Sequence, residues 1–125
     1  MSKNGNILDE YLNYLHANVD KYGPLTIVLM QVGMFHEFYG VDNSFEKVGY
    51  VKEVSEILNI QMTRRDKSIP ESSRKNPLMA GFPSVQIDRY VNILLDHNYT
   101  VVVVDQGNQA PNVERAVTRI YSPGT

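Results

Sequence analysis

The sequence predicts a single α/β domain, α+β in its layout, with a mixed sheet of about six strands flanked by about three helices. Apolar residues recur at helical spacing in three segments, and apolar or β-branched runs of strand length lie between them. Short links containing Gly or Pro separate the two kinds of segment. The predicted order along the chain is one helix followed by two strands, three times over. This order does not determine which strands are neighbours in the sheet.

Three segments are predicted to be helices: residues 7–21, 44–58 and 84–97. Apolar side chains fall on one face of each. In the second segment Ser44 is a candidate N-cap and Phe45 begins the apolar stripe. In the third, Ser84 is the candidate N-cap and Val85 belongs to the buried side.

Six segments are predicted to be strands: residues 25–32, 34–39, 60–64, 78–81, 100–104 and 113–121. The last of them alternates, which places Arg115 and Arg119 on one side, as expected for an edge strand with its arginines outward. Residues 65–77 form a polar loop of a kind that is more often functional or mobile than packed.

Composition narrows the class of protein. The 125 residues suit one domain, residues 1–125, and the 42% hydrophobic and 21% charged content is ordinary for a globular chain. No apolar run is long enough to span a bilayer, so no membrane partner is expected. The chain contains no cysteine, which excludes disulfides and thiolate zinc sites and fits an intracellular location.

Charge is distributed unevenly along the chain. The net charge is −2, which argues against a protein that coats polyanions without selectivity. Residues 61–76, however, hold five basic and two acidic side chains, a net charge of +3. Any contact with phosphate is expected to involve that segment. The alternative is a solvated surface loop.

A ring and a carboxylate follow the first strand. Gly33 permits a turn, and in the extended chain after it Phe35 and Glu37 point to the same face. An exposed ring beside an acid suits stacking on a base and hydrogen bonding to its edge. The structural alternatives are a core phenylalanine and a solvated glutamate.

Several kinds of catalytic site are missing from the sequence. It contains neither G-x-x-x-x-G-K nor G-x-G-x-x-G, the two glycine-rich motifs that bind phosphate. The chain alone is therefore not expected to hydrolyse nucleotides. Its three histidines show no metal-ligand spacing with acids. His36 and Glu37 are neighbours in a predicted strand, so they face opposite ways and cannot form an acid–base pair. An enzyme built on His36 and neighbouring acidic residues remains an alternative.

Four motifs occur in order: Gly33-x-Phe35-x-Glu37, Thr63-Arg64-Arg65, Met79-Ala80-Gly81-Phe82-Pro83, and Val113-Glu114-Arg115 followed by Pro123-Gly124-Thr125. In this order and spacing the chain resembles the N-terminal mismatch-recognition domain, domain I, of the MutS family of DNA mismatch-repair proteins. The sequence of the polar loop, residues 65–77, and of the motif that follows it resembles the branch of the family found in large DNA viruses and some organelles. The resemblance implies a domain excised from a larger, dimeric, ATP-dependent protein.

The resemblance also implies roles for two residues. Phe35 matches the ring that wedges into DNA from the minor groove and stacks on a mispaired or unpaired base. Glu37 matches the carboxylate that hydrogen-bonds that base. Here His36 and Met34 stand where the family often has tyrosine and a small acidic residue, but both are expected to face away from the ring.

Four further residues are candidate DNA contacts by the same resemblance: Arg64, Arg65, Met79 and Arg115. The implied partners are double-stranded DNA with mismatches or small loops, and other domains of the parent chain. ATP and magnesium are implied for the parent protein, and no cofactor for this domain. The alternative from the residues alone is an α/β module that binds a protein or a small ligand and has no nucleic-acid role.

Overall fold

The computed structural model describes residues 7–108 and 113–124, in which three helices flank a mixed α/β sheet of seven strands. The predicted fold class is confirmed, with one strand more than expected. Thr125, the last residue of the final motif, lies outside the described residues, as do residues 1–6 of the predicted domain.

The helices are α1 (Ile7–Tyr22), α2 (Val51–Leu58) and α3 (Ile87–Asp96), and a 3-10 turn at Ser84–Gln86 precedes the last. The strands are β1 (Thr26–Val32), β2 (Phe35–Asp42), β3 (Lys47–Val48), β4 (Thr63–Arg64), β5 (Leu78–Pro83), β6 (Thr100–Gln106) and β7 (Arg115–Tyr121).

Strand order in the sheet is β4-β5-β2-β1-β6-β7, and β3 pairs with the far end of β2. Only the pair of β1 with β6 is parallel among the described pairs. These two strands are fully buried over Ile27–Met30 and Val101–Val104. Their continuous apolar runs therefore reflect helices on both faces, because a strand covered on only one side would alternate.

The two faces of the sheet carry different helices. On one face Tyr11 of α1 packs against Tyr39 of β2, with ring centroids 5.6 Å apart. On the other face Tyr90 of α3 stacks on Phe82 of β5 at 4.3 Å, and Phe82 pairs with His36. Positions 36 and 39 of one strand point to opposite sides. The face of α1 is therefore also the face of Phe35 and Glu37.

The second helix begins later than predicted. Its first seven expected residues instead form a turn and strand β3, because Gly49 adopts a positive φ of 82° that helical geometry does not allow. The side chain of Asn43 accepts hydrogen bonds from the backbone N–H groups of Phe45 and Glu46, which closes the turn. Phe45 is 90% exposed, so its assignment to the apolar stripe was wrong.

The third helix also starts downstream of the predicted boundary. Residues 84–86 form the 3-10 turn, and Val85 is 90% exposed rather than buried. The hydroxyl of Ser84 makes no helix cap. It lies 2.8 Å from Nδ1 of His36, so a tertiary contact takes the group that local capping would have used.

A β-bulge corrects the prediction for β7. The strand lies at the sheet edge as expected, paired with β6. Its register shifts between Val103 and Val104, which pair with Arg119 and Val117. The extra residue reverses the alternation, so Arg115 and Arg119 lie on opposite faces. The prediction that they share one outward side was wrong.

Loop 65–77 is tied to a buried side chain at its centre. Asn76 is 4% exposed. Its Oδ1 accepts a hydrogen bond from the N–H of Asp66 at 2.6 Å, and its Nδ2 donates to carbonyls of Asp66, Glu71 and Ile69 at 3.2–3.4 Å. The side chain thus supplies backbone hydrogen bonds that a helix or sheet would otherwise provide. The expectation that this loop is not packed was wrong.

Candidate nucleic-acid interface

A two-residue turn places Phe35 at the tip of a hairpin. Val32 and Phe35 are the last paired residues of β1 and β2, and Gly33 and Met34 connect them. Gly33 has a φ of +63°, which is the requirement of the first loop position in a type II′ turn. A Cβ added there would meet no atom within 4 Å, so the backbone angle, and not space, requires glycine.

Hydrogen bonds brace this hairpin tip against its neighbours. Gly33 donates its N–H to Oε1 of Gln106 at 2.8 Å, and Gln31 Nε2 donates to the carbonyl of Gly33 at 3.0 Å. The N–H of Gln106 donates to Oε1 of Gln31 at 2.8 Å. On the other side Ser84 donates its N–H to the carbonyl of Met34 at 2.9 Å. The tip is therefore held from β6 and from the end of β5.

Phe35 is available at the surface. It is 45% exposed, and Met34 beside it is 81% exposed. Phe35 lies between Val32 and Pro83 in the sheet register. Because the hairpin tip is held by hydrogen bonds, the ring of Phe35 is fixed in position while about half of it remains accessible.

Glu37 is half-buried on the same face as Phe35, as the spacing predicts. Its Oε1 accepts a short hydrogen bond from the hydroxyl of Tyr39. Burial raises the pKa of Glu37, while the bond from Tyr39 and the charge of Arg115 oppose the rise. Burial likewise raises the pKa of Tyr39, helped by Glu37 and opposed by Arg115 and Arg65.

Gly81 makes room for the carboxylate. It is the cross-strand partner of Glu37 on β5. A Cβ at this position would lie 2.8 Å from Cγ of Glu37 and 2.8 Å from the carbonyl oxygen of His36. The groups that approach this glycine are the carboxylate side chain and the β2 backbone.

Two other candidates lie near this face. Met79 pairs with Tyr39 on β5, so its side chain shares the face of Glu37, and it is half-buried against the core. Arg65 is exposed just beyond β4, close enough to Tyr39 for its charge to oppose the rise in the tyrosine's pKa. These two residues, with Phe35 and Glu37, form the cluster that we call the reading face.

Arg64 is directed elsewhere. It pairs with Leu78 on β5, which places it on the opposite face from Met79. Its Nε donates to the carbonyl of Ile69 at 2.8 Å and its Nη2 to that of Lys67 at 3.2 Å. The guanidinium supports loop 65–77, and the structure does not bring it to the reading face.

Arg115 points inward, contrary to the prediction of an outward arginine. Its side chain is 10% exposed. Nη1 forms an ion pair with Glu10 of α1 at 2.7 Å, and Nε donates to the carbonyl of Gln31 at 2.7 Å. Its charge opposes the rise in the pKa of Glu37 that burial causes. Its hydrogen bonds, however, are made to α1 and β1.

His36 finds its acid across the sheet. Its Nε2 lies 2.7 Å from Oδ1 of Asp105 on β6. Since a carboxylate only accepts, the neutral ring carries its proton on Nε2 and accepts from Ser84 at Nδ1. Burial lowers the pKa of His36, although Asp105 opposes the shift. Burial disfavours the charge on Asp105, but bonds from Thr118 and His36 outweigh it and lower the pKa of that carboxyl.

Ser84, His36 and Asp105 stand in the order of a hydrolytic triad, but the surroundings do not suit that chemistry. The histidine is 3% exposed. The N–H of Ser84, a natural oxyanion donor, is bound to the carbonyl of Met34. Asp105 also accepts from Thr118 of β7. The network joins strands, and nothing in this geometry favours the enzyme alternative.

Sequence reasoning did not assign Tyr39, Asp105 or Asn76 to any role. Tyr39 could have been found, since a residue two places from Glu37 in a strand shares its face. Asp105 could not, because its contact depends on which strands pair. Among residues 7–108 and 113–124, no cluster of His, Asp and Glu is suited to hold a metal ion. Within the same ranges, no helix has the length and apolarity to cross a membrane.

Comparison with known proteins gives a consistent result. The sequence model of MutS domain I matches residues 14–125. A DNA mismatch repair protein mutS homolog of Acanthamoeba polyphaga mimivirus is 38% identical over 107 residues, which cover 83% of this chain and 9% of the relative. The mitochondrial DNA mismatch repair protein mutS homolog of Sarcophyton glaucum is 28% identical over 131 residues, covering 91% and 13%.

An archaeal relative agrees with these two. The DNA mismatch repair protein MutS 2 of Haloarcula marismortui is 37% identical over 103 residues, which cover 79% of this chain and 10% of the relative. The chain spans about a tenth of the length of the curated relatives it matches. The viral and mitochondrial relatives agree with the branch that the loop sequence suggests. The chain belongs to the MutS family of DNA mismatch repair proteins, in which it corresponds to domain I.

Proposed function

We propose that this chain recognises mismatched or looped double-stranded DNA by inserting Phe35 from the minor groove and binding the displaced base with Glu37. The observation that carries the proposal is the half-exposed ring of Phe35, on a braced hairpin tip, with a carboxylate on the same face. Membership in a DNA mismatch repair family supports it.

The wedge reads how easily DNA deforms. Unstacking a base step costs a few kcal/mol in paired DNA and less at a mismatch. Stacking of a base on an aromatic ring returns roughly 1–3 kcal/mol. The balance therefore favours insertion where pairing is already weak, whatever bases are present.

Glu37 adds a penalty against correct DNA. A carboxylate near phosphates is repelled, and on a matched duplex it meets no displaced base. At a mismatch it gains a hydrogen bond, either as a carboxylate to a base N–H or, after taking up a proton, as a donor. Burial, which raises the pKa of Glu37, makes proton uptake easier.

Supporting contacts come from the rest of the reading face. Met79 lies beside Glu37 and offers an apolar surface to the groove, and Arg65 offers an exposed charge for backbone phosphate. Arg64 and Arg115 contribute indirectly, by supporting the loop and by anchoring β7 to α1.

The setting is a larger protein inside the cell and bound to DNA. Residues 1–125 would be one recognition domain of a dimeric, ATP- and magnesium-dependent parent, working with its other domains. Relatives about ten times longer support this assignment.

The test compares single-mismatch and matched duplexes in the parent protein. Phe35→Ala should weaken mismatch binding by the lost stacking, roughly 1–3 kcal/mol or 5- to 150-fold, with little change on matched DNA. Phe45→Ala removes a more exposed ring, 90% against 45%, from the turn at the other end of β2 and serves as the control. Equal mismatch preference in all three proteins would reject the proposal and favour a module without a nucleic-acid role.

A further inference from the structure

A tyrosine hydroxyl holds one oxygen of Glu37. Tyr39 is 5% exposed, and its ring is fixed by packing against Tyr11 of α1. Because residues 37 and 39 share a face of β2, the hydroxyl reaches Oε1 of Glu37 within the same strand. The donor is therefore positioned by the core, and the carboxylate is positioned by the donor.

The opposite side of the carboxylate is restricted as well. Gly81 lies directly across from Glu37 on β5, and the Cγ of Glu37 occupies the space of its missing side chain. Within the described ranges, the hydrogen bond from Tyr39 engages Oε1, and Glu37 as a whole is only half-buried. One oxygen is thus held for orientation and the other remains for a ligand.

The charged groups around Glu37 do not replace the hydroxyl. Arg115, from β7, is paired with Glu10 of α1 and bound to the backbone of β1. Arg65, beyond β4, acts on Tyr39 from the exposed side. On β5 the facing residues, Gly81 and Met79, carry no charge. The hydroxyl of Tyr39 is the group that bonds Glu37 directly.

We propose that Tyr39 is a specificity-determining positioning residue, whose hydroxyl aims Oε2 of Glu37 at the DNA and keeps the carboxylate charged until a displaced base is present. The inference rests on the proposed function of Glu37 and adds a residue that orients the carboxylate and favours its charged form.

The chemistry follows from what a phenol can do. A donor to a carboxylate favours the charged form, so Tyr39 sustains the repulsion that disfavours matched DNA. When Glu37 takes up a proton on Oε2, Oε1 still accepts from Tyr39, and Oε2 becomes a donor to a base acceptor. The same contact therefore keeps the orientation in both protonation states. This agrees with the direction in which Tyr39 moves the pKa of Glu37.

Tyr39→Phe keeps the packed ring and removes only the hydroxyl, so it isolates the proposed role. A ¹³C NMR titration of the Glu37 side-chain carboxyl in the 125-residue chain should show a higher pKa in the variant. In the parent protein the ratio of mismatch to matched affinity at pH 7 should fall roughly 2- to 10-fold, the worth of one hydrogen bond. The ratio should recover as the pH is raised.

Two references make the outcome decisive. Tyr22→Phe removes a hydroxyl from the exposed end of α1 and should change neither measurement. In Glu37→Gln, which has no carboxyl group to titrate at this position, the ratio of mismatch to matched affinity should no longer change with the protonation of residue 37. An unchanged Glu37 titration, or an unchanged affinity ratio, in Tyr39→Phe overturns the inference. If Phe35→Ala abolishes mismatch preference while Tyr39→Phe behaves like the native protein, the inference alone fails. If Phe35→Ala has no effect, the proposed function fails.

Discussion

At the scale of single residues, the reading face depends on one position that lacks a side chain. Gly81 lies under Glu37, and any Cβ there would meet both the Cγ of Glu37 and the carbonyl of His36 at 2.8 Å. The glutamate could rotate away, but the strand carbonyl cannot move without disturbing the pairing of β2 with β5. The absence of a Cβ at residue 81 thus permits both the orientation of the carboxylate and the close pairing of the two strands.

We expect Gly81→Ala to destabilise the fold by roughly 1–3 kcal/mol, the usual cost of overpacking. Urea denaturation of the 125-residue chain measures it. Gly107→Ala is the matched control, since a Cβ there would meet only the carbonyl oxygen of Glu114 at 3.8 Å. Equal stability of the two variants would contradict the prediction.

At the scale of elements, loop 65–77 shows how a polar segment becomes ordered without helix or strand. Asn76 satisfies the backbone of the loop from inside. Ser72, also buried, exchanges hydrogen bonds with the backbone of Asp42 at 2.8–2.9 Å. The loop therefore holds the exposed Arg65 at a fixed place next to β4.

Asn76→Ala should leave the N–H of Asp66 and the loop carbonyls without their partner. The expected cost is roughly 1–3 kcal/mol, because buried polar groups lose a bond and regain no water. Faster hydrogen exchange at residues 65–76 should accompany it. Asn13→Ala, at an exposed position of α1, is the control. Native-like exchange of the loop in Asn76→Ala would show that another contact orders it.

At the scale of the whole molecule, a polar network centred on the buried His36 connects three strands and the turn after β5. His36 of β2 bonds Asp105 of β6 and Ser84 after β5, and Asp105 bonds Thr118 of β7. Arg119 adds an ion pair with Asp105 at 3.4 Å. Strands distant in sequence are thereby joined through one ionisable ring, so the stability of the fold depends on its protonation state.

Stability should fall as the pH drops below about 6.5, the ordinary pKa of histidine. Burial lowers the pKa of His36 in the folded chain, so the unfolded chain takes up this proton first. The contribution of neutral His36 is complete above that pH and is lost as the pH falls toward the folded pKa. Asp105, whose pKa is also lowered, adds a separate loss at still lower pH.

Urea denaturation between pH 7.5 and 5.5 measures this effect. His36→Gln can still hydrogen-bond but does not titrate, so its stability should depend less on pH. His16→Gln, at an exposed position of α1, controls for removal of a histidine. The same pH dependence in both variants would rule out His36 as its source.

The sequence alone determined the periodic parts of this protein. Apolar repeats specified the three helices and the long strands, and the spacing of Phe35 and Glu37 specified their common face, because these patterns depend only on local geometry. The motifs in order specified the family. They also led to Arg64 as a neighbour of the site, a position the strand register does not support.

Only the tertiary structure decided where each side chain finds its partner. The bulge in β7 turned Arg115 inward, the parallel pairing of β1 with β6 delivered Asp105 to His36, and the packing of α1 fixed Tyr39 beneath Glu37. Periodicity carries no information on which strands pair or where a register slips. Those choices follow from the burial of the whole core, and they determine which of the candidate residues can act together.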